Sequence, residues 1–239
     1  MKTMHFVLKR GSETTPFAFP LNRMVNAGYA GRNQNEVRRH IEELSLKGIP
    51  GPETTPTLYA ISPAQLSQAA SIDVLGEETS GEAEFVLLLR DEGRIYVAVG
   101  SDHTDRKLEA YSIPMAKQIC PNLISRDLWL LDDALSSWDG IMLRGWVTEK
   151  EKRTLCQEAS LASLLSPKDL LDFVRPKVVG SLVRTVVYSG TISALGGGFN
   201  FGERFEVELF NPATNDRLSL GYDIRPMTFI RERTTVHEG

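Results

Sequence analysis

The spacing of apolar and polar positions changes several times along this 239-residue chain, and each change marks an element. Met4-His5-Phe6-Val7-Leu8-Lys9 reads as a strand, Gly11-Ser12-Glu13 as a turn, and the stretch around Phe17 and Phe19 as a second extended segment. Asn33, followed three residues later by Glu36, resembles an N-terminal helix cap. Val37, Ile41 and Leu44 then recur at helical spacing until Gly48, which predicts one amphipathic helix over roughly 34–47. Pro50, Gly51, Pro52 and Pro56 break the pattern before a short strand at 57–61. The expected division is a small N-terminal β-unit plus helix over 1–55 and a main domain over 56–239.

Two apolar runs, Phe85 to Leu89 and Ile95 to Val99, flank Asp91-Glu92-Gly93 and give the strongest hairpin signal in the chain. Ser166 before Pro167, with Leu170, Leu171, Phe173 and Val174 beyond, predicts a second helix whose proline takes the tolerated first position. Further strands are expected around 182–188, 204–210 and 217–222, separated by Gly196-Gly197-Gly198 and by Asn211-Pro212. Many strands with few helices imply an α+β fold, predominantly β, rather than a doubly wound sheet.

Composition narrows the function classes without naming one. The 41% hydrophobic and 24% charged content is ordinary for a globular protein. With 31 acidic and 27 basic residues the net charge is −4, and no dense basic block follows a phosphate backbone, so nucleic acid is not an expected partner. No window approaches the roughly twenty apolar residues of a spanning helix, so no membrane crossing is expected. Two cysteines, Cys120 and Cys156, make no disulfide framework, and the N-terminus has no signal-peptide pattern; a cytoplasmic location is expected. Both thiols, and Trp129, Trp138 and Trp146, read as packing residues, the tryptophans in the core or at a dimer contact.

Candidate chemistry gathers at the base of the hairpin. Glu82 and Glu84 leave the same face of a strand about 7 Å apart. A three-residue loop with Gly93 in the left-handed region sets Arg90 opposite Arg94 and Asp102 opposite Glu82, so that three carboxylates share one face. A two-residue loop turns Asp102 to the other face, and the glycine's position favours the longer loop. Like charges facing each other across a ladder destabilise it unless a cation joins them, and oxygen ligands alone suit magnesium, manganese or calcium. The competing reading is a solvated acidic stretch formed by Glu77, Glu78, Glu82 and Glu84.

Glu82-Ala83-Glu84-Phe85, then Asp102-His103-Thr104-Asp105-Arg106, then Ala116-Lys117 ahead of Cys120-Pro121, resemble the catalytic domain of the fumarylacetoacetate hydrolase family, which has Glu-x-Glu, Asp-x-Thr-x-Arg and a lysine in this order. Gln157-Glu158 before the Ser160 to Val174 segment, Gly190-Thr191, and Gly202-Glu203 leading into Phe205 to Phe210 extend the likeness. Gly31-Arg32-Asn33 before a helix resembles the family's Gly-Arg-Asn-Tyr segment, and His40 with Glu43 keeps its His-x-x-Glu spacing about one turn late. The chain departs from the pattern in having a tight hairpin where the family has a helix, Gln118-Ile119-Cys120 after the lysine, and Ile192 after Gly-Thr.

The resemblance implies a mixed β-sandwich or roll with few helices, and a magnesium or manganese site formed by Glu82, Glu84 and Asp102. It also implies catalytic roles for His40, Glu43 and Lys117, substrate contacts from Arg32, Arg106, Gly190 and Thr191, and a homodimer. The implied reaction is hydrolytic carbon–carbon cleavage or decarboxylation of a small 2-oxo or 1,3-dicarbonyl acid such as an acylpyruvate. Keto–enol isomerisation and a catalytically weak binding or scaffold protein are the alternatives. Each residue also has a structural reading: His40 and Glu43 as an exposed helix pair, Lys117 as a solvated lysine, Arg106 as a brace for its loop, and Arg32 with Asn33 as a helix cap. His103 follows a proposed ligand on the strand and so points to the opposite face, outside the metal shell.

Overall fold

A computed structural model of the chain describes residues 2–45, 52, 54–91 and 93–229. The first residues form β1 (Lys2–Arg10), β2 (Glu13–Leu21) and β3 (Arg23–Gly28), followed by α1 (Gln34–Ser45) and β4 (Thr57–Ile61). Short strands β5 (Leu66–Ser67), β6 (Ser71–Val74) and β7 (Thr79–Ser80) lead into the hairpin of β8 (Ala83–Asp91) and β9 (Arg94–Asp102). After β10 (Thr104–Asp105) come α2 (Arg106–Tyr111), α3 (Ile113–Ile119), β11 (Asn122–Ile124), β12 (Asp127–Leu130) and α4 (Leu131–Ala134). The C-terminal part holds β13 (Met142–Glu149), β14 (Lys152–Ser160), α5 (Pro167–Val174), β15 (Thr185–Tyr188), β16 (Arg204–Asn211) and β17 (Asp216–Pro226).

The strands form two main sheets. One runs in the order β2-β1-β12-β9-β8-β15-β3-β4, with β11 and β5 attached at the edge of β9; the other runs β14-β13-β16-β17-β6. Residues on both sides of the expected 55/56 boundary share the first sheet, because β3 pairs with β4 and with β15. The predominantly β, few-helix fold expected from the patterning is the fold observed.

Strands β8 and β9 are buried on both faces, which explains their almost continuous apolar sequence. Odd-numbered side chains such as Phe85, Leu87, Val97 and Val99 face the second sheet and meet Leu143, Val207, Leu209 and Tyr222. Even-numbered Val86, Leu88 and Ala98 face the opposite way, against Phe6, Phe17 and Phe19 from the β1–β2 ribbon. Burying a large apolar side chain contributes about 1.5–3 kcal/mol, and Phe85 adds an edge-on contact with Trp138 at 5.1 Å between ring centres. Trp129 and Trp138 are core residues, as expected.

The hairpin register sets the site. Ala83 lies opposite Ser101 and Glu84 opposite Gly100, and the Asp102 amide donates to the Glu82 carbonyl at 3.1 Å. Asp102 and Glu82 therefore face each other, as expected, but the tip differs from the expected three-residue loop. Asp91, not Arg90, pairs with Arg94, and a bulge between Leu89 and Asp91 absorbs the odd residue. Gly93 has φ +110°, the backbone freedom for which the turn was read.

Candidate metal centre

Asp102 ends β9, and the chain bends at once into β10, which pairs Thr104 with Ser80 and Asp105 with Thr79. The Asp105 carboxylate then caps α2 by accepting from the Leu108 amide at 3.0 Å. This turn brings Arg106 under the carboxylates. Lys117 lies in the last turn of α3, before Cys120 and Pro121, where proline cannot continue the helix. Neither α2 nor α3 is legible as a helix in the sequence, because both are short and polar residues interrupt their apolar positions.

Ligand oxygens of Glu82, Glu84 and Asp102 all lie within 4.8 Å of one another. Glu84 is 1% exposed and Asp102 is fully buried. Lys117 Nζ donates to Asp102 Oδ2 at 2.5 Å and to Glu82 Oε2 at 3.1 Å. Arg106 donates through Nη1 to Glu82 Oε1 at 3.0 Å and to Glu109 Oε2 at 2.7 Å, and through Nε to Ser80 Oγ at 2.8 Å. Glu82 and Asp102 thus share the Lys117 ammonium, Glu82 and Glu109 share the Arg106 guanidinium, and Glu84 stands beside them held by a backbone amide instead.

The electrostatics divide the acids. Burial opposes ionisation of Glu82, but Lys117 and Arg106 outweigh it and hold its pKa down to about 2. Burial and the negative Asp102 push Glu84 well above the usual carboxylate range, and burial also raises Asp102 against the pull of Lys117. Lys117 is buried, yet Asp102, Glu82 and Glu84 hold its ammonium charged. Glu84 Oε2 accepts from the Gly190 amide at 2.8 Å, while Oε1 is buried without a partner. An unsatisfied buried polar group costs about 1–3 kcal/mol, and a carboxylate oxygen left open beside two further carboxylates suits a hard divalent cation. The donor set fits magnesium, manganese or calcium and contains no thiolate or imidazole.

The turn after β15 supports this cluster. Gly190 has φ +83°, and a side chain there would press on the Ala27 carbonyl and the Ala30 methyl. Thr191 Oγ1 donates to the Ala83 carbonyl at 2.9 Å. Gln157, from β14, donates to Thr191 Oγ1 and the Ile192 carbonyl and accepts from the Ala83 amide, so it staples the second sheet to the base of β8. Gly196, Gly197 and Gly198 all have positive φ, and the turn they form brings the Phe199 ring over the Arg106 guanidinium at 4.4 Å.

The expected residues are not all brought to one place. Glu82, Asp102, Arg106 and Lys117 form one hydrogen-bonded group, and Glu84, held by the Gly190 amide, lies against it with Thr191 bonded to the neighbouring Ala83 carbonyl. The Arg32 guanidinium pairs with both oxygens of Asp139 and donates to the Leu164 carbonyl, fastening the start of α1 to the scaffold. Asn33 caps α1 by accepting from the Asn35 and Glu36 amides. His40 and Glu43 belong to α1, and their side chains lie outside the described residues. His103 faces away from the acids, bonded to Tyr222 and Thr79, and burial keeps it neutral, with a pKa of about 3. Cys120 and Cys156 are buried thiols, pushed up by burial to about 12 and 11.

Further residues join the candidate site. Glu109 stands one helical turn after Arg106 and is its second carboxylate partner. Asn122 Nδ2 donates to Asp102 Oδ1 at 3.2 Å. Asn26 is fully buried and stands near enough to Asp102 to help lower its pKa by hydrogen bonding, although neither amide atom makes a hydrogen bond of ordinary geometry. Tyr59 lies 5.9 Å from Lys117 Nζ, and Tyr29 is near enough to Glu109 and Glu82 for them to help burial raise its pKa. Asn26 carried a readable signal, being a lone polar residue in an apolar strand.

A family model described as "protein of unknown function (DUF2848)" matches residues 27–222. No curated protein matches the chain. Among solved structures the chain is similar to Cg1458, with a TM-score of 0.63 and 13% identity over 94% of this chain and 89% of that one. Yeast ynq8, a fumarylacetoacetate hydrolase family protein, gives 0.56 and 14% over 86% and 94%. A 2-keto-3-deoxy-D-arabinonate dehydratase complexed with magnesium and 2,5-dioxopentanoate gives 0.58 and 13% over 85% and 73%. No described helix is long and apolar enough to cross a membrane. The chain belongs to the DUF2848 family, and its fold is a divergent version of the fumarylacetoacetate hydrolase fold.

Proposed function

We propose that this chain is a divalent-metal-dependent enzyme acting on small 2-oxo or 1,3-dicarbonyl acids, by hydrolytic carbon–carbon cleavage or by decarboxylation. The observation that carries the reading is the buried Glu82, Glu84 and Asp102 cluster, with one carboxylate oxygen open and a charged lysine beside it. The magnesium and dioxo-acid complex of a structurally similar dehydratase supports the same choice of ligand chemistry.

Glu82, Glu84 and Asp102 would hold the ion, which when bound supplies Lewis-acid polarisation of a substrate carbonyl. Lys117 places a fixed positive charge next to Asp102 and donates a hydrogen bond to a substrate oxygen that gains negative charge as the neighbouring bond breaks. Arg106 orients Glu82, and Gly190 and Thr191 orient Glu84 and the start of β8. In the hydrolytic version His40, with Glu43 three residues on, takes the proton from water; imidazole titrates near working pH.

Metal-loaded protein assayed against 2,4-dioxo acids and a β-keto diacid tests this reading. Turnover that needs the added metal and falls by at least a hundredfold in Lys117→Met is expected, in line with removal of one oxyanion donor. Tight metal binding with no turnover on the whole panel would make the protein a binder instead.

A further inference from the structure

Seven buried side-chain polar atoms lack a partner among the described residues, and four of them surround the acidic cluster: Glu84 Oε1, Asn122 Oδ1, and both Oδ1 and Nδ2 of Asn26. Asn26 sits in the middle of β3, opposite Tyr59 on β4 and Tyr188 on β15. Its face of the sheet is otherwise apolar at Met24, Val86, Leu88 and Val186. Asparagine is depleted in strands, and a leucine of similar size would satisfy this position without orphaned atoms. A polar occupant at this position would satisfy the amide atoms that the approach to Asp102 leaves open.

The four atoms also define what kind of occupant fits. Three are acceptors and one, Asn26 Nδ2, is a donor. A bare cation satisfies acceptors only. Water bound to a cation offers hydrogens to the amide oxygens and a lone pair to the amide nitrogen. Magnesium-class ions give up their waters reluctantly and are commonly held by a few carboxylates together with retained water.

We infer that Asn26 is a metal-site residue that seats a water of a hydrated divalent cation held by Glu82, Glu84 and Asp102, with Asn122 serving the same shell from β11. This rests on the metal reading proposed above. Asn26 acts through water and through Asp102, so it is a positioning residue rather than a catalytic one.

Calorimetric titration with magnesium, together with thermal melts of the metal-free protein, tests the inference on wild type, Asn26→Leu and Asn26→Ser. Asn26→Leu is expected to weaken magnesium binding about 10–100-fold, the usual range for a lost outer-shell partner, while leaving the metal-free Tm equal or higher. Asn26→Ser, whose hydroxyl still holds a water, is expected to bind more tightly than Asn26→Leu and more weakly than wild type. Wild-type affinity in Asn26→Leu, or a lower metal-free Tm with unchanged affinity, would overturn the assignment in favour of a purely structural role. If Asn26→Leu does not fold, wild-type affinity in Asn26→Ser overturns it equally. Absence of binding in wild type would instead remove the underlying metal reading, so the two failures are distinguishable.

Discussion

The β8–β9 hairpin carries charge at both of its ends, and the protein treats the two ends oppositely. At the tip, Arg90, Asp91 and Arg94 are exposed, and water screens whatever they do to one another. At the base, Glu84, Asp102 and Lys117 are buried, and Glu82 nearly so. Buried charges are costly even when paired, and three clustered carboxylates with only Lys117 and Arg106 beside them are a poor way to stabilise a fold. The tip is a surface turn, whereas the base gathers buried charge around a candidate metal site.

Several measurements would break or sharpen this contrast, and the base should give the large effects. Lys117→Met leaves Asp102 without its ammonium partner and should lower metal-free stability by about 3–5 kcal/mol in urea melts. An unchanged midpoint would mean that the acids are already neutral. Saturating magnesium or manganese at a hundredfold excess over Kd should raise wild-type stability by about 2.7 kcal/mol, and this gain should vanish in Glu84→Ala. Gly190→Ala forces a side chain into left-handed backbone and against Ala27, for about 1–2 kcal/mol, and should also loosen metal binding by shifting the amide that holds Glu84. Arg94→Ala at the tip should leave the melting midpoint unmoved.

The pH dependence distinguishes the acids within the base. Glu84 has a folded-state pKa above its ordinary 4.5, so between those values the folded protein holds the extra proton and metal-free stability falls as pH rises. Glu82 behaves in the opposite sense: its folded pKa of about 2 contributes stability above 4.5 that is lost as pH falls toward 2. Metal binding requires Glu84 to be ionised, so it should release a proton, and affinity should rise with pH. Titrations in buffers of different ionisation enthalpy measure that proton directly.

Much of this arrangement was legible in the chain because period-2 alternation is an unforgiving code. Once Glu82 and Glu84 were placed on one face, the register alone decided whether Asp102 joined them, and it did, although by a bulge at the tip rather than by the loop expected. The helix after Ser166 was equally readable, since Ser166 caps it and Pro167 opens it. The strands β13 and β14 went unread. Met142, Arg144, Trp146 and Thr148 on the solvent-side face of β13 mix apolar and polar character, which blurs the alternation. Glu109 and Asn122 were invisible as candidate-site residues because Glu109 sits on a helix too short to recognise and Asn122 meets Asp102 from 20 positions away; Asn26 showed as a polar residue in an apolar strand, but Asp102 lies 76 positions on and no local pattern encodes that pairing.

Titration of the metal-stripped protein with manganese and magnesium, wild type against Glu84→Ala, bears most directly on the carboxylate centre. Saturable binding to one site in wild type, lost in Glu84→Ala while the variant remains folded, is the predicted result. Equal binding in both proteins, or no binding in either, would contradict a metal centre built from Glu82, Glu84 and Asp102.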